Sequence, residues 1–265
     1  MVLIKQPKKE GHYYYPDGTP CFEVPNASNG GMRPTTVADA RKLGLFPSVT
    51  TLISVLNKFQ LNEWVERVAI EVCWKFPKGI SESKDEYLER LMGEVEKVRS
   101  EAPDLGTDIH RALQSYHETG RVDPLYAEYI AGVAGYYANT GITVIKSESR
   151  IKADLVGYGG TIDVIAEDST KTPIILDYKS TKTRGRKVTP YASYLMQIAA
   201  YKYAKTVEDS AFKNARCIIL YVSTDEANKV IEYEASEEGQ AYHLEMFKTC
   251  EKLWKLEKHF TTKGE

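Results

Sequence analysis

The chain has 265 residues, 42% apolar and 27% charged, with a net charge of −2 at pH 7. These proportions exclude a disordered chain and a uniformly basic nucleic-acid-coating protein, so any nucleic-acid contact requires a local basic patch. The four cysteines lie far apart, which makes a disulfide framework unlikely and indicates a reducing compartment. The sequence shows no signal-peptide pattern and no apolar run long enough for a bilayer, so we expect a cytoplasmic location without a membrane partner.

The predicted elements begin with a hairpin and loop segment, residues 1–46. Residues 16–19 form a turn signal between two short apolar runs, one of which contains three consecutive tyrosines, residues 13–15. These tyrosines can form an edge strand or stack on single-stranded bases, and we prefer the edge strand. A short helix is expected between Thr36 and Gly44.

Residues 47–140 have helical spacing of apolar positions. Ser48 or Thr50 can cap a helix that runs towards Leu56, and a second helix begins near Asn62. Further helices are predicted at 84–99, from Gly106 to Gly120, and at 125–139.

Short β-branched segments predict an α/β core over residues 141–235. We expect one domain, 47–265, made of the helical part 47–140, this core and a C-terminal helix at 237–259. The core is predicted to contain strands at 142–151, 155–166, 173–178, 215–222 and 229–234, with a helix at 190–206.

Two carboxylates in this core are candidates for metal chemistry. Asp163 and Asp177 lie on neighbouring predicted strands, and Lys179 shares a strand face with Asp177 because alternate strand residues point the same way. Hard oxygen ligands and a nearby cation are what metal-dependent phosphodiester hydrolysis needs. The acid-x-Lys pattern also occurs at Glu82 and Lys84, but there no buried strand precedes it, which indicates solvated surface.

Four motifs in order resemble the PD-(D/E)xK nucleases of the RecB type. They are Gly106 to His110, Gly160 to Asp163, Asp177-Tyr178-Lys179, and Gln197 to Tyr201. The segment 47–50 is similar to one in mitochondrial genome maintenance exonucleases and related phage nucleases. The resemblance implies a restriction-endonuclease-like α/β core, with a central mixed sheet flanked by helices, and a helical N-terminal half.

The resemblance also implies roles for single residues. Mg²⁺ or Mn²⁺ would be bound by His110, Asp163, Asp177 and the backbone carbonyl of Tyr178. Lys179 would orient or activate the attacking water and stabilise developing charge, and Gln197 would steady the site. The predicted DNA contacts are Ser48, Thr50, Ser180, Lys182, Arg184, Arg186 and Tyr201, the cations among them lying in a basic loop that suits phosphates.

Several of these residues have a plainer interpretation. His110 can be a structural histidine and His117 plain surface, and Gln197 and Tyr201 can be a hydrogen-bonded pair over the sheet. Glu148 is either an extra metal or water contact or half of a surface pair with Arg150.

The leading hypothesis is a metal-dependent DNA exonuclease acting on single strands or ends in replication, recombination or repair. The alternatives are a structure-selective or restriction-like endonuclease and a non-catalytic DNA-binding protein with a nuclease fold. Many RecB-type nucleases carry an iron–sulfur cluster, but the late cysteines Cys217 and Cys250 are far apart, so we predict none here. Protein partners are not indicated by the sequence.

Overall fold

The computed structural model describes residues 11–26, 30–56 and 59–261, except for the side chains of 59–62, 64 and 99–104. The helices are α1 (Val37–Leu43), α2 (Val49–Ile53), α3 (Phe59–Lys75), α4 (Lys84–Thr119), α5 (Ala127–Thr140), α6 (Ala153–Val156), α7 (Ala192–Glu208) and α8 (Glu237–Glu257), with 3-10 turns at Pro124–Tyr126 and Ser210–Asn214. The strands are β1 (Tyr13–Tyr14), β2 (Glu23–Pro25), β3 (Met32–Pro34), β4 (Phe46–Pro47), β5 (Thr143–Arg150), β6 (Thr161–Glu167), β7 (Pro173–Thr181), β8 (Arg216–Ser223) and β9 (Val230–Glu234). Among the residues described, no helix combines the length and apolarity needed to cross a membrane.

A five-stranded mixed sheet forms the centre of the molecule, in the order β5-β6-β7-β8-β9. β7 and β8 are parallel, and the other neighbouring pairs are antiparallel. Parallel neighbours require a crossover connection, and α7 lies within it. The predicted fold class, an α/β core with a mixed sheet between helices, is confirmed.

Each face of the sheet carries its own apolar core. Ile175 and Ile219 face α7 and α8, where they join a cluster that includes Met196 and Phe247. The alternate residues of the same strands, Leu176 and Ile218 among them, face α4 and α5. Burying each of these side chains contributes about 1.5–3 kcal/mol to the free energy of folding. The two clusters therefore hold the strands of the sheet firmly in position.

One long helix, α4, replaces the two helices predicted at 84–99 and 106–120. It has 36 residues and continues through Pro103 and Gly106, where the two predicted helices were separate. A proline removes one amide hydrogen and disfavours the preceding turn, but packing can hold both halves of a helix in line. Here Leu91 packs in the cluster shared with α3, while Ile109 and Leu113 pack under the sheet.

The strand predicted at 155–166 begins only at Thr161. The residues before it form α6 and a glycine turn in which Gly157 has a φ of 83°. At Gly159 a Cβ would lie 2.5 Å or less from ring atoms of Tyr14, so the chain here packs directly against the N-terminal segment. The apolar residues within 155–160 are therefore explained by tertiary packing and not by strand pairing.

The N-terminal segment packs into the main core. β1 pairs with β4, as Tyr13 and Tyr14 lie opposite Pro47 and Phe46. Both tyrosines are buried, which confirms the edge-strand interpretation over base stacking for them. Because residues on both sides of position 46 share one apolar cluster, the predicted boundary between residues 46 and 47 falls inside a packed region.

Candidate active site

The two predicted carboxylates meet at one end of the β6–β7 pair. The antiparallel ladder ends at Val164 and Leu176, and Asp163 and Asp177 are the next residues beyond it. An oxygen of Asp163 accepts a hydrogen bond from the backbone N–H of Tyr178 at 2.7 Å. Asp177 is 1% exposed, although it is an acidic residue, because it directly follows the buried residues Ile174 to Leu176 on β7.

Lys179 supplies the cation for this carboxylate pair. Its Nζ lies 2.5 Å from Oδ2 of Asp177, and its side chain is 18% exposed. Burial lowers the pKa of Lys179, but the charges of Asp177 and Asp163 outweigh burial, so its pKa lies above the ordinary value. The lysine is therefore held as an ammonium ion beside the carboxylates.

His110 reaches the same point from α4. Its Nδ1 lies 3.6 Å from Oδ2 of Asp163, and its ring packs edge-on against the Tyr178 ring with the centroids 6.0 Å apart. Burial and then the charge of Lys179 lower the pKa of His110, which favours the neutral imidazole. Gly106 permits this approach, because a Cβ there would lie 2.6 Å from Oγ of Ser180 on β7.

These donors fit a divalent cation. Burial and then the charge of Asp177 raise the pKa of Asp163 well above its ordinary value, a cost that an added cation would relieve. Oδ2 of Asp177 has no well-aligned hydrogen bond among the described residues. Within the described part of the chain, no three His, Cys, Asp or Glu side chains are already grouped as metal ligands. Mg²⁺ does not need such a group, because one or two carboxylates commonly hold it while water and substrate phosphate complete its coordination shell.

Glu148 lies on the other side of Asp163. Its neighbours Ser147 and Ser149 pair with residues on either side of Asp163, and its own φ is +48°. Burial and then the charge of Glu118 raise the pKa of Glu148, and its own charge in turn raises the pKa of Asp163. No ion pair joins Glu148 to Arg150 within the described part of the chain, so the geometry favours the site-facing alternative for Glu148.

Gln197 and Tyr201 form a buried pair beneath the site. Nε2 of Gln197 donates to the Tyr201 hydroxyl at 2.9 Å. Tyr201 is 4% exposed, and a Cβ on Gly160 would approach its ring to 2.8 Å. The expected DNA contact of Tyr201 is therefore corrected, because a ring enclosed in this way supports the Gly160 segment and does not reach a strand of DNA.

The structure reveals a hydrogen-bonded group behind Tyr178 that the motifs did not indicate. Its hydroxyl lies 2.8 Å from Nε2 of His117 and 2.5 Å from the Tyr137 hydroxyl. The His117 ring also stacks on the Tyr178 ring, with an angle of 6° between the two ring planes. His117 is thus not plain surface, and its position seven residues after His110, two turns along the same helix face, is the signal that could have found it.

The basic loop, residues 182–187, presents Lys182, Arg184 and Arg186 to solvent. Its backbone is held by two carboxylates of the β8–β9 turn. Asp225 accepts from the Thr183 N–H at 2.8 Å, and Glu226 accepts from the Gly185 N–H at 2.9 Å and from the Thr183 hydroxyl. The loop is therefore fixed at the end of β7 with its cations free to meet phosphates.

The segment 47–50 lies against the same end of the sheet. Ser48 forms a parallel bridge with Gly159, and its hydroxyl caps α2 by accepting from the Thr51 N–H at 3.0 Å. Because Ser48 is 4% exposed, its expected DNA contact is replaced by a positioning role, whereas Thr50 is exposed. Ser180, which is half-buried, follows Lys179 directly on β7.

A family model for the PD-(D/E)XK nuclease superfamily matches residues 126–259, just over half of the chain. The chain belongs to this superfamily. The matched residues of the nuclease include Asp163, Asp177 and Lys179, while His110 lies upstream of them. Nucleases of the superfamily generally use Mg²⁺ or Mn²⁺, which agrees with the donor set described above.

A comparison with curated proteins finds no match. Among solved structures, the nuclease is similar to one titled "Crystal structure of SSO0001", at 15% identity over 72% of this chain and 86% of that chain. The TM-score is 0.29, a likeness too distant to bear on function.

Proposed function

We propose that this nuclease is a metal-dependent DNA exonuclease of the RecB type, related to phage and mitochondrial genome maintenance exonucleases. It would hydrolyse phosphodiester bonds of single-stranded DNA or DNA ends in replication, recombination or repair. The observation that carries the proposal is the convergence of Asp163, Asp177 and Lys179 on one strand end, with His110 within 3.6 Å of Asp163.

The metal would be held by Asp163, Asp177, the Tyr178 carbonyl and His110, with Glu148 as a further contact. When bound, Mg²⁺ or Mn²⁺ would lower the pKa of a water and neutralise phosphate charge. The protein groups supply preorganisation, since their positions are fixed by β6, β7 and α4 before DNA arrives.

Each side chain then has a separate task. Lys179 donates hydrogen bonds to the attacking water or to a phosphate oxygen as negative charge develops. Gln197 and Tyr201 hold the Gly160 segment, and through it the position of Asp163. Ser48 supports the same segment from the other side through its bridge to Gly159.

Features around the site support an extended DNA path. The basic loop and Thr50 are exposed at the catalytic end of the sheet, where phosphate contacts would orient a strand. α4 begins 26 residues before His110, so it projects roughly 40 Å from the site at 1.5 Å per residue. A projecting helical pair beside the site suits a substrate that enters by its end.

The test is hydrolysis of end-labelled linear single-stranded, linear double-stranded and covalently closed circular DNA, each with Mg²⁺, Mn²⁺ or EDTA. The proposal predicts that linear single strands are degraded, that circles survive and that EDTA stops the reaction.

Cutting of covalently closed circles would contradict the exonuclease proposal and show that the protein is an endonuclease. Binding of DNA without hydrolysis under either metal would instead support a non-catalytic DNA-binding protein. The same time courses, run with a label on either end, give the polarity of degradation.

A further inference from the structure

A cluster of tyrosines lies beside the ammonium of Lys179 on the α7 side of the sheet. The Tyr194 ring centroid lies 5.0 Å from Nζ of Lys179, a cation–π distance. The Tyr191 ring lies 5.2 Å from that of Tyr194 at an angle of 58°. The aromatic pair therefore begins at the proposed catalytic cation and extends outward from it.

A third tyrosine forms the inner side of this cluster. Tyr221 is the register partner of Lys179 on the parallel strand β8, so the two side chains share a face. Tyr221 is 3% exposed, and its hydroxyl has no hydrogen-bond partner among the described residues. A buried hydroxyl left without a protein partner is commonly completed by a water or a ligand atom.

The Tyr191 side chain is open to solvent at the start of α7. It precedes the first residue of α7, yet its side chain makes no capping hydrogen bond. The residue is 48% exposed, although a large ring gains most from burial. It also follows the basic loop closely, so a DNA strand held by Arg184 or Arg186 would pass beside it.

We propose that Tyr191 and Tyr194 form a nucleobase-stacking subsite for the nucleotide next to the scissile phosphate. The inference rests on the proposed function, because it takes the phosphate to lie at Lys179. Stacking is available to every base but requires the base to be unpaired, so the subsite would favour single strands without selecting a sequence. Tyr194 would also position Lys179, while the exposed Tyr191 would make the outer face of the stack.

The test combines protein and DNA changes. Hydrolysis is measured for the wild type, Tyr191→Ala, Tyr191→Phe and the control Tyr242→Ala, whose ring is exposed on α8. The substrates are matched single-stranded oligonucleotides, either intact or with one abasic residue at each of the last three positions of either end.

We expect Tyr191→Ala to raise KM about tenfold, within the range for loss of one stacked base. Tyr191→Phe should restore the wild-type KM because it keeps the ring, and kcat should change less than KM. One abasic position should raise KM for the wild type and have little further effect in Tyr191→Ala. Tyr242→Ala should behave as the wild type throughout.

Independent, multiplicative effects of the substitution and the abasic residue would overturn the subsite, as would equal KM values for Tyr191→Ala and Tyr242→Ala. If the wild type cleaves no DNA, the proposed function fails, and fluorescence anisotropy with the same oligonucleotides tests the subsite separately. The subsite is supported if an abasic residue weakens DNA binding by the wild type but not by Tyr191→Ala. It is overturned if neither the abasic residue nor the substitution changes the affinity.

Discussion

The central sheet and the helical arm, residues 59–98, differ in how much buried apolar packing holds them. The sheet lies between two large apolar clusters, and Asp177 at its end is almost fully buried. The described cluster of the arm has only Val68, Val72 and Leu91 as its buried members. On the same arm Trp74 is 88% exposed.

This difference in packing suits the sheet to hold the proposed metal ligands and the arm to control the approach of DNA. Metal ligands must stay within a fraction of an ångström of their working positions, which the sheet provides through dense packing. Regions with few buried contacts open at lower free energy than the core of the same protein. We therefore expect the arm to open and close locally while the carboxylates and Lys179 remain in place.

The largest effect is expected from Asp177→Asn in the sheet. The change removes one proposed metal carboxylate and the nearest counterion of Lys179, so hydrolysis should fall to background with Mg²⁺ and Mn²⁺. Calorimetric titration with Mn²⁺ should show weakened binding. Asp154→Asn, at an exposed position on α6, is the matched control, and full activity of Asp177→Asn would place the chemistry elsewhere.

Truncation of apolar side chains should distinguish the two regions next. Ile218→Ala in the sheet should lower the free energy of unfolding by about 2–5 kcal/mol, as measured by urea denaturation. Leu91→Ala should instead speed hydrogen exchange of the arm amides, with a smaller change in the main unfolding transition. Equal losses of global stability would mean that the arm and the sheet unfold as one unit.

A smaller effect is expected from His117→Phe, which keeps the ring behind Tyr178 but removes its hydrogen bond. Because Tyr137 still contacts the Tyr178 hydroxyl, the loss of stability should be about 1 kcal/mol. The Mn²⁺ concentration for half-maximal rate should rise, since the Tyr178 backbone N–H donates a hydrogen bond to Asp163. His243→Phe on α8 serves as control, and an unchanged metal dependence would give His117 a purely structural role.

The smallest effect is expected from Glu82→Gln at the outer end of the arm. Glu82 pairs with Arg90 at 2.8 Å, and hydrogen bonds from Arg90 and then the Gly79 N–H lower the pKa of Glu82 to about 2. Because this folded-state pKa is below the ordinary 4.5, the pair stabilises the arm above that value and is lost as pH falls towards 2.

Hydrogen exchange of the arm should therefore be slightly faster in Glu82→Gln at pH 7, and the difference should shrink in high salt and at pH 3. A difference as large at pH 3 as at pH 7 would show that the Glu82 carboxylate is not its source.

Local sequence patterns were sufficient to predict the strand that carries Asp177 and Lys179. Three β-branched or apolar residues before a charged pair indicate a buried strand, and the structure has a strand there that continues past the predicted end at 178 to Thr181. Thr36 and Gly44 likewise bound α1 as predicted, because a capping box and a left-handed glycine are local signals.

Features that depend on tertiary packing were not predictable in this way. Pro103 and Gly106 look like a break, yet α4 continues because α3 and the sheet hold its two halves. The tyrosines near Lys179 come from α7, the residue before it and β8, and only the fold brings them together. Tyr194 did carry a partial signal, since it lies three residues before Gln197 on the same helix face.

The most direct test of the account compares the two acid-x-Lys patterns of the chain. Single-turnover hydrolysis of linear single-stranded DNA with Mg²⁺ is measured for Lys179→Ala and Lys84→Ala, with DNA affinity measured in parallel. Removing Lys179 should slow hydrolysis by about 10²–10³-fold with DNA affinity largely kept, and removing the exposed Lys84 should change neither. A Lys179→Ala rate within a few-fold of the wild type, or an equal loss in Lys84→Ala, would contradict an active site built on Asp163, Asp177 and Lys179.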